Sequence, residues 1–211
     1  VGNERRFLMS EVAGRSAVLE RIRLLAPETT KTSPVVDTVV KRLKQLENEG
    51  YQFEGADGSF ELLIRKALGT YRPLFALERF RTIGEHPAGC DSGSAAMIKI
   101  SVGGEDEITA AEGNGPIDAL NHCLRKALER FYPRLAEAHL TDYKVRVLDG
   151  SAASAAKVRV LIESTDGHEV WTTVGVSTDI IEASWIALVD SIEYKLIHDQ
   201  ERPSSKEDQG T

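Results

Sequence analysis

The chain contains an internal duplication, and this repeat constrains its fold more than any single motif does. The run 108–113 aligns with the run 170–175, and a glycine-containing hairpin signal precedes both runs. After each run an apolar stripe recurs at helical spacing. The stripe consists of Ile117, Ala119, Leu124 and Leu128 in the first copy and of Ile181, Ala183, Leu188 and Ile192 in the second. Two copies of one unit predict a module with pseudo-twofold symmetry.

Alternating apolar and polar residues predict three strands in each copy. They lie near 75–83, 95–103 and 106–113, and again near 140–149, 156–164 and 168–176. A helical pattern follows each set, near 116–131 and 178–197. The alternation through Val158, Val160 and Ile162 predicts one packed face and one wetter face, which is typical of antiparallel sheets. The sequence therefore predicts an α+β fold with a duplicated βββα domain over 71–198, in halves 71–132 and 138–198.

The first seventy residues have a helical pattern throughout. Ser33 followed by Pro34 predicts a helix start, and Gly50 predicts the end of that helix. A further helix is expected after the turn at 55–59, with its end at Gly69. We therefore expect a small helical subdomain over 1–70 that leans on the rest of the chain, and a polar, disordered tail over 199–211.

Composition limits the partners that the chain can have. Its 41% hydrophobic and 28% charged content is that of a globular protein, and no stretch approaches the roughly 20 apolar residues of a membrane helix. The net charge of −7 disfavours nucleic-acid binding. Cys90 and Cys123 are isolated, which favours a reducing cytoplasm. The start at Val1 is expected to lie inside a longer protein.

No catalytic or metal-binding constellation is visible in the sequence. The five histidines lack the spacings that direct two imidazoles at one metal ion. Ser16 and Ser92 have no nearby base and do not form a nucleophile elbow. We therefore expect this chain to be non-catalytic and to hold neither metal nor cofactor.

The two strand-to-helix junctions are the best candidates for a binding site. The first places two glycines before a helix start, where free amides and the helix dipole favour a carboxylate. The second offers hydroxyls and one carboxylate. A zwitterionic amino acid fits both polarities, although a tight turn with a helix cap explains the same residues. The candidate residues are Gly113, Asn114, Gly115, Pro116, Ile117, Asp118 and Ala119, with Ser177, Thr178, Asp179, Ile180 and Ile181 by internal symmetry.

Four runs of sequence resemble one family of enzymes. The runs 2–8 with 13–16, 50–57 and 113–120 are similar to the C-terminal part of 2-isopropylmalate synthase and citramalate synthase. The run 171–185 looks most like the citramalate synthase branch. The resemblance extends over nearly the whole chain, to about Leu196.

The resemblance implies a regulatory fragment of a larger enzyme. Members of the family join an acetyl-CoA-dependent catalytic barrel, which holds a divalent metal ion, to a helical communication region and a regulatory domain that dimerises. That domain is expected to bind the end-product amino acid, here isoleucine or leucine, at a dimer interface, and its effector-pocket loop corresponds to the first junction. The barrel itself has no counterpart in this chain. Two alternatives stay open: a dimerisation scaffold that binds no ligand, and an enzyme with an unrecognised site.

Overall fold

The N-terminal third forms three helices. The computed structural model describes residues 15–85, 93–148 and 156–201. Helices α1 (Arg15–Leu25), α2 (Pro34–Glu49) and α3 (Asp57–Leu68) pack around a shared apolar cluster. Gly50 and Gly69 end α2 and α3 in the left-handed conformation, with φ of 110° and 71°, as the sequence predicts. Each helix buries one apolar face against the others.

Two three-stranded antiparallel sheets follow, each with its own helix. Strands β1 (Ala76–Glu85), β2 (Gly93–Val102) and β3 (Glu105–Gly113) precede helix α4 (Pro116–Leu128). Strands β4 (His139–Val147), β5 (Val158–Thr165) and β6 (Val170–Ser177) precede helix α5 (Ile180–Glu201). The strand orders are β1-β2-β3 and β4-β5-β6. The predicted α+β class and the duplicated βββα arrangement are confirmed.

The duplication is visible at atomic detail where each third strand meets its helix. A Cβ added to Gly113 would lie 2.4 Å from the amide nitrogen of Ala119, and one added to Gly175 would lie 2.0 Å from the carbonyl oxygen of Ala183. Ala119 and Ala183 are fully buried in the two helices. Glycine is therefore required at both junctions because the helix backbone approaches closely.

The two sheets differ in what covers their outer faces. Val174 and Leu161, on the outer face of β6 and β5, belong to the apolar cluster of the three N-terminal helices. Arg159 Nε donates to the carbonyl of Gly50 at 2.7 Å, which attaches the same sheet to the end of α2. On the first sheet the outer face exposes Met97 and Ile108. Among the described residues, the N-terminal helices therefore pack on the second half.

Several element boundaries differ from the sequence prediction. Helix α4 ends at Leu128, and a short 3-10 helix (Pro133–Glu137) follows. Pro133 is the first residue of this turn and has no amide hydrogen to donate. Helix α5 continues through Glu201, so the predicted tail over 199–211 begins inside this helix, and its remainder lies outside the described residues. None of the described helices is long and apolar enough to cross a membrane.

Candidate functional site

The first strand-to-helix junction starts α4 without a side-chain cap. Gly115 occupies the N-cap position and makes no side-chain hydrogen bond, and Pro116 is the first helical residue. The Asp118 carboxylate reaches back, and its Oδ2 accepts from the amide of Asn114 at 2.9 Å. Its Oδ1 lies 3.4 Å from Nε2 of His122. One carboxylate and uncapped helix amides therefore lie side by side, as a zwitterion requires.

A cavity of about 620 Å³ opens directly beside this helix start. It lies between the first turns of α4 and the segment formed by the 3-10 helix and β4. Ile117 and Asp118 line it from the junction, and Leu140 and Tyr143 line it from β4. Its size falls within the range of about 300–1,000 Å³ that is typical of small-molecule sites. Its lining combines aliphatic side chains with polar and charged ones, among them Asp118, His122 and Arg125, a mixture that suits a small zwitterion with an aliphatic side chain.

The rim of the cavity is held by Arg125. Its guanidinium donates to the carbonyl of Leu135 at 3.1 Å and to the carbonyl of Ala138. These bonds attach the 3-10 helix to α4 across the boundary between the halves. The rim is therefore held by contacts within the chain.

The second junction is capped by its own side chains. Asp179 Oδ1 accepts from the amide of Ile181 at 2.7 Å, and Ser177 Oγ accepts from the amide of Asp179 at 3.1 Å. Ser177 Oγ also donates to the Glu182 carboxylate. Thr178 is exposed. No residue of this junction is among those that line the 620 Å³ cavity.

The remaining predicted residues of the first junction support the site without lining it. Gly113 and Ala119 form the close contact between strand and helix, while Asn114, Gly115 and Pro116 make the turn. Sequence reasoning missed Asn121, Leu140 and Tyr143 as lining residues. Leu140 and Tyr143 come from the other half, so only tertiary structure brings them to α4.

A second cavity, of about 480 Å³, lies between the N-terminal helices and the turn that joins β5 to β6. Three of its charged lining residues, Arg21, Asp57 and Glu61, take part in ion pairs. Arg21 forms an ion pair with Asp57, and His198 Nε2 lies 2.9 Å from the Glu61 carboxylate. Burial lowers the pKa of His198, but the hydrogen bond and charge of Glu61 outweigh it and raise that pKa overall. The first pair joins α1 to α3 and the second joins α3 to α5 of the second half, so this cavity belongs to an internal interface.

The described residues offer no site for a metal ion. Within the ranges 15–85, 93–148 and 156–201, no group of three or more His, Cys, Asp or Glu side chains is arranged to hold one. Cys123 is buried, and burial raises the pKa of its thiol. Its Sγ donates to the carbonyl of Thr109 at 3.0 Å. This cysteine is a packing residue.

Comparison with known proteins identifies a family for most of the chain. Residues 54–196 match the family described as the LeuA allosteric (dimerisation) domain. The chain belongs to this family. The match begins just before α3, so it takes in the last of the three N-terminal helices together with both βββα units.

The relatives that this chain matches are longer proteins. The chain is 50% identical over 202 residues to (R)-citramalate synthase of Synechocystis sp., which covers 93% of this chain and 37% of that protein. It is 49% identical to (R)-citramalate synthase of Geobacter sulfurreducens, over 98% of this chain and 39% of that protein. A probable 2-isopropylmalate synthase of Methanopyrus kandleri is 28% identical. The chain thus spans little more than a third of these relatives.

Proposed function

We propose that this LeuA allosteric domain is the regulatory part of an acetyl-CoA-dependent 2-oxoacid acyltransferase, citramalate synthase or 2-isopropylmalate synthase. It binds a branched-chain amino acid, isoleucine or leucine, as feedback inhibitor, and it works as a homodimer. The observation that carries this proposal is the 620 Å³ cavity beside the uncapped start of α4. The family match and the named relatives support the enzyme class.

The chemistry of the cavity accounts for recognition of an amino acid. The effector carboxylate takes the first-turn amides of α4, where the helix dipole favours an anion. Its ammonium pairs with Asp118, and its aliphatic side chain packs on Ile117 and Leu140. Because one methylene in an apolar pocket is worth about 1–3 kcal/mol, valine, which is one methylene shorter, is expected to bind more weakly than isoleucine or leucine, which differ from each other only in branching.

Helix α5 provides a connection from the cavity to the N-terminal helices. The hydroxyl of Tyr143, which lines the cavity, lies 2.7 Å from Oγ of Ser184 on α5. Further along α5, the Asp190 carboxylate accepts from Ser59 Oγ on α3 at 2.6 Å. A ligand that binds two arrangements of α5 with different affinity would change the orientation of the N-terminal helices relative to the rest of the enzyme.

Calorimetric titration of the chain with isoleucine, leucine and valine tests the proposal. We expect saturable heat with at least one of them, and an Asp118→Asn variant that binds at least tenfold more weakly. Asp106→Asn, an exposed acid on β3 paired with Lys99, is the matched control and keeps the wild-type affinity. Light scattering shows whether the chain is a folded dimer. If that dimer gives no heat at millimolar ligand, the chain is instead a ligand-independent scaffold.

A further inference from the structure

The two halves of the domain meet at two equivalent places, and only one of them is filled. Trp185, on α5 of the second half, packs its indole on Phe80 of β1 in the first half, with ring centroids 5.1 Å apart. Helices α4 and α5 begin at Pro116 and Ile180, and the residue five places after each start is Asn121 and Trp185, respectively. Asn121 is therefore the counterpart of Trp185.

The strands show the same correspondence. In the first sheet, Gly113 and Phe80 each pair with a residue of β2. The β2 partner of Phe80 lies four places C-terminal to the β2 partner of Gly113. In the second sheet, Gly175 and Leu140 each pair with a residue of β5. The β5 partner of Leu140 also lies four places C-terminal to the β5 partner of Gly175. Since the two glycines are the equivalent junctions, Leu140 holds in the second sheet the position that Phe80 holds in the first. The contact between Phe80 and Trp185 thus corresponds to the space between Leu140 and Asn121.

That space is the 620 Å³ cavity, which both Asn121 and Leu140 line. In the filled counterpart Trp185 is only 7% exposed. Ile181, the equivalent of Ile117, packs against the same core as Trp185. A large aromatic ring therefore closes one of the two pseudo-symmetric places, and a short amide leaves the other open.

We propose that each chain binds a single branched-chain amino acid, and that its aliphatic side chain occupies the place that Trp185 fills in the other half. Asn121 is the residue that determines which of the two places is open. This inference rests on the proposed function, since it names the stoichiometry and the gatekeeping residue of that same site. It also explains why the second junction caps itself, because no ligand needs its amides.

The test uses Asn121→Trp in the full 211-residue chain, with calorimetric stoichiometry and ligand-free melting temperature as separate measurements. Wild type is expected to bind one isoleucine or leucine per chain. Asn121→Trp is expected to lose at least 100-fold in affinity and to melt at or above the wild-type temperature. Lys126→Trp, an exposed position on the same helix, is the matched control and keeps wild-type binding.

The measurements separate this inference from the proposed function. If wild type binds none of the three branched-chain amino acids, the proposed function fails. The ligand-free melting temperature of Asn121→Trp then still reports whether an indole fits the cavity. A melting temperature below that of wild type overturns the correspondence between the two places. Two ligands per chain, or an Asn121→Trp variant within threefold of wild-type affinity, overturns the inference alone. Asn121→Leu, a smaller apolar replacement, tests the binding prediction independently: at least tenfold weaker binding supports the proposal, and unchanged binding refutes it.

Discussion

The hydroxyl of Ser59 joins the N-terminal helices to the duplicated domain through two hydrogen bonds. Its Oγ donates to the Asp190 carboxylate at 2.6 Å and accepts from the amide of Val174 at 3.0 Å. Ser59 is 4% exposed. A hydrogen bond to a charged group is worth about 1.5–3 kcal/mol and a neutral one about 0.5–1.5 kcal/mol. Ser59→Ala is therefore expected to lower the free energy of unfolding by about 2–4 kcal/mol.

The same variant has a predicted pH dependence. Burial raises the pKa of Asp190, while Lys66 and the hydrogen bond from Ser59 partly offset that rise. An acid whose folded-state pKa is raised stabilises the fold below its ordinary pKa, and that contribution is lost as the pH rises through the raised value. Because Ser59→Ala removes one offsetting interaction, its cost should be larger at pH 8 than at pH 4.5.

Urea unfolding followed by tryptophan fluorescence measures both effects. Thr38→Ala removes an exposed hydroxyl that donates to the carbonyl of Pro34 on α2, and as the control it should change stability by less than about 0.5 kcal/mol. A cost for Ser59→Ala below about 1 kcal/mol, or one that is the same at both pH values, would refute the assignment of Asp190 as a buried partner of Ser59.

Three further substitutions test the packing and the buried charges. Gly175→Ala should prevent folding at 37 °C by a solubility or circular-dichroism assay, because its Cβ would lie 2.0 Å from the carbonyl oxygen of Ala183. Burial raises the pKa of Glu193 to about 7, so the unfolding free energy should fall between pH 5 and 8, and Glu193→Gln should flatten that slope in a pH series of melts. Lys195→Met removes a fully buried ammonium from its carboxylate partners and should cost about 3–5 kcal/mol in urea unfolding, whereas a neutral effect would show that the ion cluster is dispensable.

The sequence predicts the architecture well because its signals are local. Gly50 and Gly69 mark helix ends whatever surrounds them, and the alternation through Val158–Thr165 defines a strand before any partner is known. The repeat then predicts the same strand pairing in both halves, because two similar runs of sequence form the same structure. These elements follow from short stretches of chain, so they could be predicted without tertiary contacts.

The cavity could be predicted only in part, because half of it is long-range. Ile117 and Asp118 belong to a junction that the sequence singles out, but Leu140 and Tyr143 reach α4 from the other half. The sequence pattern predicted that Asp179 faces the ligand. In the structure its carboxylate instead caps the second junction. Symmetry in the sequence therefore predicted that both junctions contribute to one effector pocket, whereas, of the two junctions, only the first contributes residues that line the 620 Å³ cavity.

The burial of β6 on both sides has a consequence for anyone who shortens this chain. The sequence pattern places a domain boundary at residue 71. Truncation there would remove α1, α2 and α3 and leave the duplicated domain. Val174, now fully buried, and Leu161 would then become surface. Two such truncated molecules could bury this new apolar face against each other. An oligomeric state measured on the truncated form would therefore describe a contact that the longer chain has already used internally.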